Sequence, residues 1–358
     1  EDNGKYYPDA NLDFALRHCR RPQIGPINYA FLMRTHLKYA KFLFYYQPTF
    51  EGNLRRENSP PYHSPVSQND FSDAALVLLG HGSTINDTAG DVVYQHAREL
   101  RSRNLFAEVR EAFWKQDPKI KDVLSTLSAN RIFIVPLFIS EGYFSDEVIP
   151  RELGFKTEEE SVFSRIVQRG SKTLFYCEPI GTHDGMTAVL LERAHEVVEK
   201  NPFPRAPKAK DLTLFIAGHG TEQNENSRTS IQHQTSLIRA QNLYAGVHAV
   251  FLEESPRVSE CFYLAETRHI VVVPFFISEG MHTQEDIPVM LGDSKRIVQQ
   301  RLGMRQPPWR NPTERNGKLI WYGGVVGTHP KVAEVILEEV RENEREWNER
   351  QNHGGTES

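Results

Sequence analysis

The sequence predicts an α/β protein built from two tandem three-layer αβα domains with parallel sheets. Three observations carry that expectation: a long internal repeat, short apolar runs that stop at glycine, and a polar, helix-prone stretch after each run. "LVLLGHGSTIND" (76–87) matches "LFIAGHGTEQNE" (214–225), and "VPLFISEGYFSDEVIP" (135–150) matches "VPFFISEGMHTQEDIP" (273–288), both at an offset of 138. The offset holds unbroken over about 75 positions, and a period this long marks a duplicated domain rather than a solenoid.

Each copy alternates strand and helix. The first strands, "ALVLLG" and "TLFIAG", are short apolar runs of the kind buried on both faces of a parallel sheet. Helices follow at 90–103 and 228–241, and second strands fit "FAEVREAF" (106–113) and "YAGVHAVF" (244–251). A further helix leads to "RIFIVPLFI" (131–139) and "HIVVVPFFI" (269–277), both β-prone and closed by a turn. "TLFYCEPIGTH" (173–183) and "LIWYGGVVGTH" (319–329) supply fourth strands, before helices at 184–200 and 330–347. The pattern βαβαβαβα, run twice, implies two parallel sheets covered on both faces.

The repeats occupy 71–200 and 211–345, joined by a linker at 201–210 rich in Pro and Lys. Residues 1–70 lie outside the repeat. They hold an apolar, aromatic helical segment (27–46) that should pack on the body and an extended tether (55–70). The tail, 346–358, is expected to be disordered.

The 39% hydrophobic and 25% charged residues are ordinary for a globular protein, and a net charge of −5 supplies no basic footprint for nucleic acid. Cys19, Cys177 and Cys261 form no C-x-x-C unit, which fits neither a zinc ribbon nor a disulfide framework and suits a reducing cytoplasm. No apolar run reaches the ~18 residues a membrane helix needs, and the first residues lack a basic-then-apolar leader. Nucleic-acid and membrane partners are therefore not expected.

Ligands of parallel α/β sheets bind beyond the C-terminal strand ends. Both "GHG" and "SEG" follow strands directly, so His219 and His282 should meet on one rim, with Glu279, Glu285 and Asp286 close by. Imidazole is the commonest metal ligand among side chains and titrates near neutrality. Two such rings with carboxylates could hold a divalent first-row metal and leave coordination positions open. The first copy offers only His81 and Phe144 at the matching positions. Glu141 and Glu279 could equally cap the next helix, and His183 and His329 of the "GTH" pair fit helix starts as well as they fit the rim. The glycine turns present backbone donors for anions, and Arg228 is a candidate cation beside them.

The order "GHG", then "VPFFISEG-M-H-x-x-EDIP", resembles the class II chelatases, nearest to the CbiX type of sirohydrochlorin cobaltochelatase and more distantly to ferrochelatase. The resemblance covers both repeats and implies two domains facing each other across a tetrapyrrole-binding cleft. It implies a metal chelatase that inserts Co²⁺, or Fe²⁺ or Ni²⁺, into sirohydrochlorin or a related tetrapyrrole. Carried over, the two inserting histidines fall on His219 and His282. Glu279 would assist catalysis and Glu285 would join the metal ligands. His81, Ser83, Thr221 and Ser278 would contact substrate, His81 otherwise being a structural turn residue. The metal is a substrate and no tightly bound cofactor is expected. Residues 1–70 could contact neighbouring enzymes of tetrapyrrole synthesis. The competing expectation is a non-catalytic carrier or sensor of tetrapyrrole or metal with the same fold.

Overall fold

The computed structural model describes residues 71–83, 90–157, 159–160, 162–220 and 225–354. The expected helix at 27–46, the tether and Thr221 lie outside them. The first half runs β1 (Phe71–Gly80), α1 (Asp91–Ser102), β2 (Phe106–Phe113), α2 (Ile120–Thr126) and β3 (Arg131–Pro136). A π-helical turn (Tyr143–Val148) then leads into α3 (Ile149–Glu152), followed by β4 (Ile166–Arg169), β5 (Lys172–Tyr176) and α4 (Met186–Lys200). The second half repeats this as β6 (Leu212–Gly218), α5 (Glu225–Ala240), β7 (Gly246–Phe251), α6 (Cys261–Leu264) and β8 (His269–Pro274). A second π-helical turn (His282–Asp286), α7 (Ile287–Met290), α8 (Lys295–Gly303), β9 (Thr313–Arg315), β10 (Lys318–Tyr322) and α9 (Val332–Gly354) complete it.

The two sheets have the same order, β2-β1-β3-β5-β4 and β7-β6-β8-β10-β9. Four strands of each are parallel as expected. The fifth is an antiparallel edge strand that the strand–helix pattern does not predict, formed by the hairpins β4–β5 and β9–β10. In the second hairpin Asn316 and Gly317 take φ of 49° and 73°, the left-handed pair that a tight two-residue β-turn requires.

Helices and a continuous apolar core fill the space between the two sheets. One cluster joins Leu76, Leu78, Phe133 and Phe175 of the first sheet to Leu214, Ile216, Val271 and Trp321 of the second, through side chains of α1, α4, α5 and α9. The alternate strand residues point outward into separate clusters, Ala75, Val77 and Leu79 on one side and Phe215, Ala217 and Val272 on the other. The last helix of each half crosses to the other half's sheet: α4 packs on β8 and β10, and α9 on β3. Trp347 of α9 meets Phe175 edge-on at 6.1 Å. Polar contacts lock the exchange, among them His96 Nε2 with Gly327 O at 2.7 Å and the Glu178 N–H donating to Glu339 Oε1 at 2.8 Å. The described residues of the two repeats thus form one compact unit.

The expected disordered tail is corrected as far as Gly354, since α9 continues to that residue. The sequence there is rich in Glu and Arg, good helix formers. They pair along the helix, Arg345 with Glu342 at 3.7 Å and Arg350 with Glu346 at 3.9 Å. No helix among the described residues is long and apolar enough to cross a membrane.

Candidate active site

His219 leaves the end of β6, and the following Gly220 has φ +64°, a left-handed conformation that favours glycine. The turn folds the ring back so that His219 Nδ1 lies 2.9 Å from Gly220 O. His282 opens the π-helical turn after β8. Its Nδ1 sits 2.7 Å from Asp286 Oδ2 one turn along. Each acceptor fixes the hydrogen on Nδ1 and leaves the Nε2 lone pair of the neutral ring free for a ligand. The two rings meet edge to face with centroids 4.8 Å apart.

The turn that carries His282 is held from both ends. Gly280 N–H donates to Thr283 Oγ1 at 3.1 Å, and the buried Tyr322 phenol of β10 donates to Thr283 O at 2.8 Å. Burial, with a smaller contribution from the Glu279 charge, raises the Tyr322 pKa well above its usual value. The phenol therefore remains a hydrogen-bond donor.

A third group belongs to this cluster that the sequence reasoning missed. Glu253 follows β7, and its N–H donates to His219 O at 3.2 Å. Its carboxylate lies 3.7 Å from His219 Nε2. Two imidazoles thus meet on a half-exposed rim, with Glu253 beside His219 and Asp286 behind His282. Imidazoles with one nearby carboxylate suit a divalent first-row ion held loosely.

The first half keeps the scaffold and loses the donors. His81 makes the same Nδ1 contact, 2.9 Å from Gly82 O. Its ring packs on Phe144 (5.0 Å) and Trp114 (5.5 Å). Lys115 stands where the second half has Glu253, with its ammonium 5.2 Å from the Trp114 ring centroid. Val148 replaces Asp286. Burial first, and the Lys115 charge as well, lower the His81 pKa against the raising effect of its bond to Gly82.

Comparison with known proteins finds the same duplication. The CbiX family model matches residues 75–197 and again residues 213–343. The chain belongs to the CbiX family. It is 41% identical over 277 residues to a probable sirohydrochlorin cobaltochelatase of Halobacterium salinarum, a match covering 74% of this chain and 89% of the relative. Among solved structures, a multi-domain protein of Deinococcus radiodurans with structural similarity to chelatases superposes with a TM-score of 0.60 at 28% identity. That match covers 74% of this chain and 54% of the other. SirB of Bacillus subtilis with Fe3+ shares the fold at TM-score 0.54 and 17% identity, over 75% of this chain and 95% of that one.

Within this CbiX frame the other expected residues fall in different places. The Glu285 carboxylate turns toward α8, where Gln299 Nε2 donates to it at 3.2 Å and Lys295 lies at 3.8 Å. Asp286, one residue on, is the side chain that reaches His282. Glu279 accepts from Gln284 Nε2 at 2.8 Å and lines a cavity beside the turn. Ser83 N–H donates to Gln116 Oε1 at 2.9 Å, and Ser278 is half-buried in the turn after β8. Thr221 lies outside the described residues. Arg228 pairs with Glu254 at 2.8 Å and donates to Ser255 O, so its two terminal nitrogens are engaged.

His183 and His329 serve helix starts. Their Nδ1 atoms accept from Gly185 N–H (2.9 Å) and Lys331 N–H (3.1 Å), just ahead of α4 and α9. His183, Glu339 and Glu342 bring ligand atoms within 4.8 Å of one another. With Nδ1 accepting, the neutral ring carries its hydrogen on Nε2, 3.7 Å from the Glu342 carboxylate, while Glu339 accepts from Glu178 N–H and Asn343 Nδ2.

Proposed function

We propose that this CbiX family chain inserts a divalent metal, Co²⁺ in the first instance, into sirohydrochlorin, and that its second half carries the chemistry. The observation that supports this best is the His219–His282 pair, with both Nδ1 atoms tied to acceptors, the Nε2 lone pairs left to a ligand and the Glu253 carboxylate 3.7 Å from His219 Nε2. The naming of the Halobacterium relative as a probable sirohydrochlorin cobaltochelatase favours cobalt and this macrocycle.

Insertion exchanges two pyrrole N–H protons for one M²⁺, so the site must surrender a metal and take up two protons. In this reading the Nε2 atoms of His219 and His282 hold the ion, with Glu253 completing the donor set. As the metal passes to the macrocycle, the freed Nε2 lone pairs accept the pyrrole protons, a task suited to imidazole. Asp286 steadies the His282 imidazolium, and Glu253 does the same for His219. The metal is a substrate, and no resident cofactor is needed.

The first half supplies a facing wall. Phe144 and Trp114 offer apolar contact to the macrocycle, and the Lys115 ammonium would meet one of its carboxylates. Backbone and hydroxyl groups of the Ser83, Thr221 and Ser278 turns are the remaining substrate contacts, with His81 beside them. Free, buried Cys177 and Cys261 suit a reducing compartment, and we assign the reaction to the cytoplasm. Residues 1–70 are assigned to contact with a neighbouring tetrapyrrole enzyme.

The test is anaerobic incubation of the purified chain with sirohydrochlorin and Co²⁺, followed by the absorbance change on insertion. The chain should accelerate insertion over the spontaneous rate. His219→Ala and His282→Ala should abolish the acceleration, and His81→Ala should leave most of it. No acceleration with Co²⁺, Fe²⁺ or Ni²⁺ would overturn the proposal.

A further inference from the structure

The two halves differ at a second place on their rims, beside the π-helical turns. There the hairpin residues correspond at an offset of 146, since the register Val167↔Leu174 recurs as Thr313↔Ile320 in the matching β9–β10 hairpin. In the first half the Arg165 guanidinium fills this place. Nη2 lies 3.3 Å from Glu141 Oε1 and 3.4 Å from Asp146 Oδ1, and Nη1 donates to Cys177 O at 3.3 Å. Its Cζ stands over the rings of Phe163 (5.3 Å) and Tyr176 (5.7 Å).

In the second half the frame recurs without the cation. Glu279 matches Glu141, Tyr322 matches Tyr176, and Trp309 matches Phe163. Asn311 replaces Arg165, and its side chain instead bonds the Tyr322 backbone, donating to O at 2.9 Å and accepting from N–H at 2.7 Å. Gly323 and Gly324 replace Cys177 and Glu178, removing two more side chains. The result is a cavity of about 160 Å³ lined by Glu279, Gln284, Trp309, Asn311, Tyr322 and Gly323, with Thr283 of the His282 turn in its wall.

We propose that this cavity docks a hydrated divalent cation, held by Glu279, before the ion reaches His219 and His282. The inference rests on the metal-insertion reading above. Its occupant follows from the first half, where a positive charge sits in the same frame of carboxylate, carbonyl and two aromatic faces. Aromatic faces and a carboxylate both attract cations. The cavity's polar groups are oxygens and amides, with no imidazole or thiolate. A first-row ion therefore gains little by shedding water there and keeps its hydration shell, for which the cavity has room. Nitrogen donors lie one residue beyond Thr283, at His282, so transfer runs from a weak oxygen site to a stronger imidazole site. Gln284 replaces Asp146, leaving Glu279 as the one carboxylate of the lining. A single carboxylate keeps the ion exchangeable.

The test counts bound Mn²⁺ by the loss of its free-ion paramagnetic resonance signal, in full-length protein carrying His219→Ala and His282→Ala. One weak saturable Mn²⁺ site per chain is expected to remain. Adding Glu279→Gln, a change at an exposed side chain, should weaken it at least tenfold, and adding Asn311→Arg should abolish it by restoring the first half's guanidinium. No saturable Mn²⁺ in the double variant, or a site that survives Glu279→Gln undiminished, overturns the proposal. Cobalt insertion by the unaltered chain is measured alongside. Turnover without the Mn²⁺ site overturns the docking role alone, whereas a Mn²⁺ site without turnover with any metal overturns the insertion reading and supports a cation site of the cavity.

Discussion

Asp286 Oδ2 lies 2.7 Å from His282 Nδ1, one turn away on a π-helical segment that the first half matches with Val148 and Phe144. The carboxylate acts through the ring: it holds the hydrogen on Nδ1 and aims Nε2 outward. Asp286→Ala should therefore weaken Co²⁺ binding by roughly 10–100-fold, while Asp286→Asn, whose carbonyl oxygen still accepts from Nδ1, should lose less. Calorimetric titration of Co²⁺ into the two variants tests this. Equal losses would mean that the charge, rather than the orientation, matters.

The first half invites the converse experiment. Lys115, Phe144 and Val148 occupy the positions of Glu253, His282 and Asp286, and His81 keeps its Nδ1 contact with Gly82. Lys115→Glu, Phe144→His and Val148→Asp together should create a second tight metal site, raising tightly bound Co²⁺ from one to two per chain. Phe144→His alone should not, because the Lys115 ammonium would still repel the ion. Stoichiometry by equilibrium dialysis reads the outcome, and a count that stays at one would mean that the first-half backbone no longer positions the donors.

Much of this was legible in the sequence because duplication supplied its own comparison. The strand–helix alternation, the rim and the His219–His282 pairing all followed from where apolar runs stop. Glu253 escaped because it follows a strand with no glycine motif to flag it. The signal was present as the one charge reversal near the rim, lysine in one copy and glutamate in the other. Glu285 was misplaced and Asp286 left aside because spacing along an α-helix does not say which carboxylate a π-helical turn will bring round to His282. The edge strand β9 was announced by "NG" at 316–317 and passed over. The exchange of α4 and α9 had no local signature at all, since either helix could bury the same apolar face on either sheet.

That exchange leaves a pH-sensitive contact in the core. Burial first, and then the Glu178 charge, push the Glu339 carboxyl up to about 7, against 4.5 for an unburied glutamate. The folded state thus binds a proton that the unfolded chain releases earlier. Its stabilising contribution is complete below the unfolded value, falls as pH rises from about 4.5 to 7, and is gone above that window. Glu339→Gln keeps an oxygen for the Glu178 N–H and carries no charge. It should be nearly neutral at pH 5 and stabilising by roughly 1–3 kcal/mol at pH 8. Urea unfolding at the two pH values checks this, and a difference independent of pH would contradict it.

Gly327 ties the exchange to the site. A Cβ there would stand 2.0 Å from Ile277 O, in the turn that leads to His282. The Gly327 N–H donates to Phe276 O at 3.0 Å, and its carbonyl faces His96 Nε2 of the other half at 2.7 Å. Backbone cannot yield there as the tip of a flexible side chain could, so Gly327→Ala must push the "ISEG" turn or the interface apart. A loss above about 3 kcal/mol is expected, with metal binding weakened in whatever folded protein remains. Gly303→Ala is the control. That residue ends α8 with nothing within 4 Å of the added carbon, so alanine should leave binding unchanged and add up to about 1 kcal/mol through helix propensity. Thermal unfolding of the two variants separates the cases by the sign of the shift. If Gly327→Ala folded with undiminished stability, the close approach between the "GTH" and "SEG" turns would not be what holds His282 in register with His219.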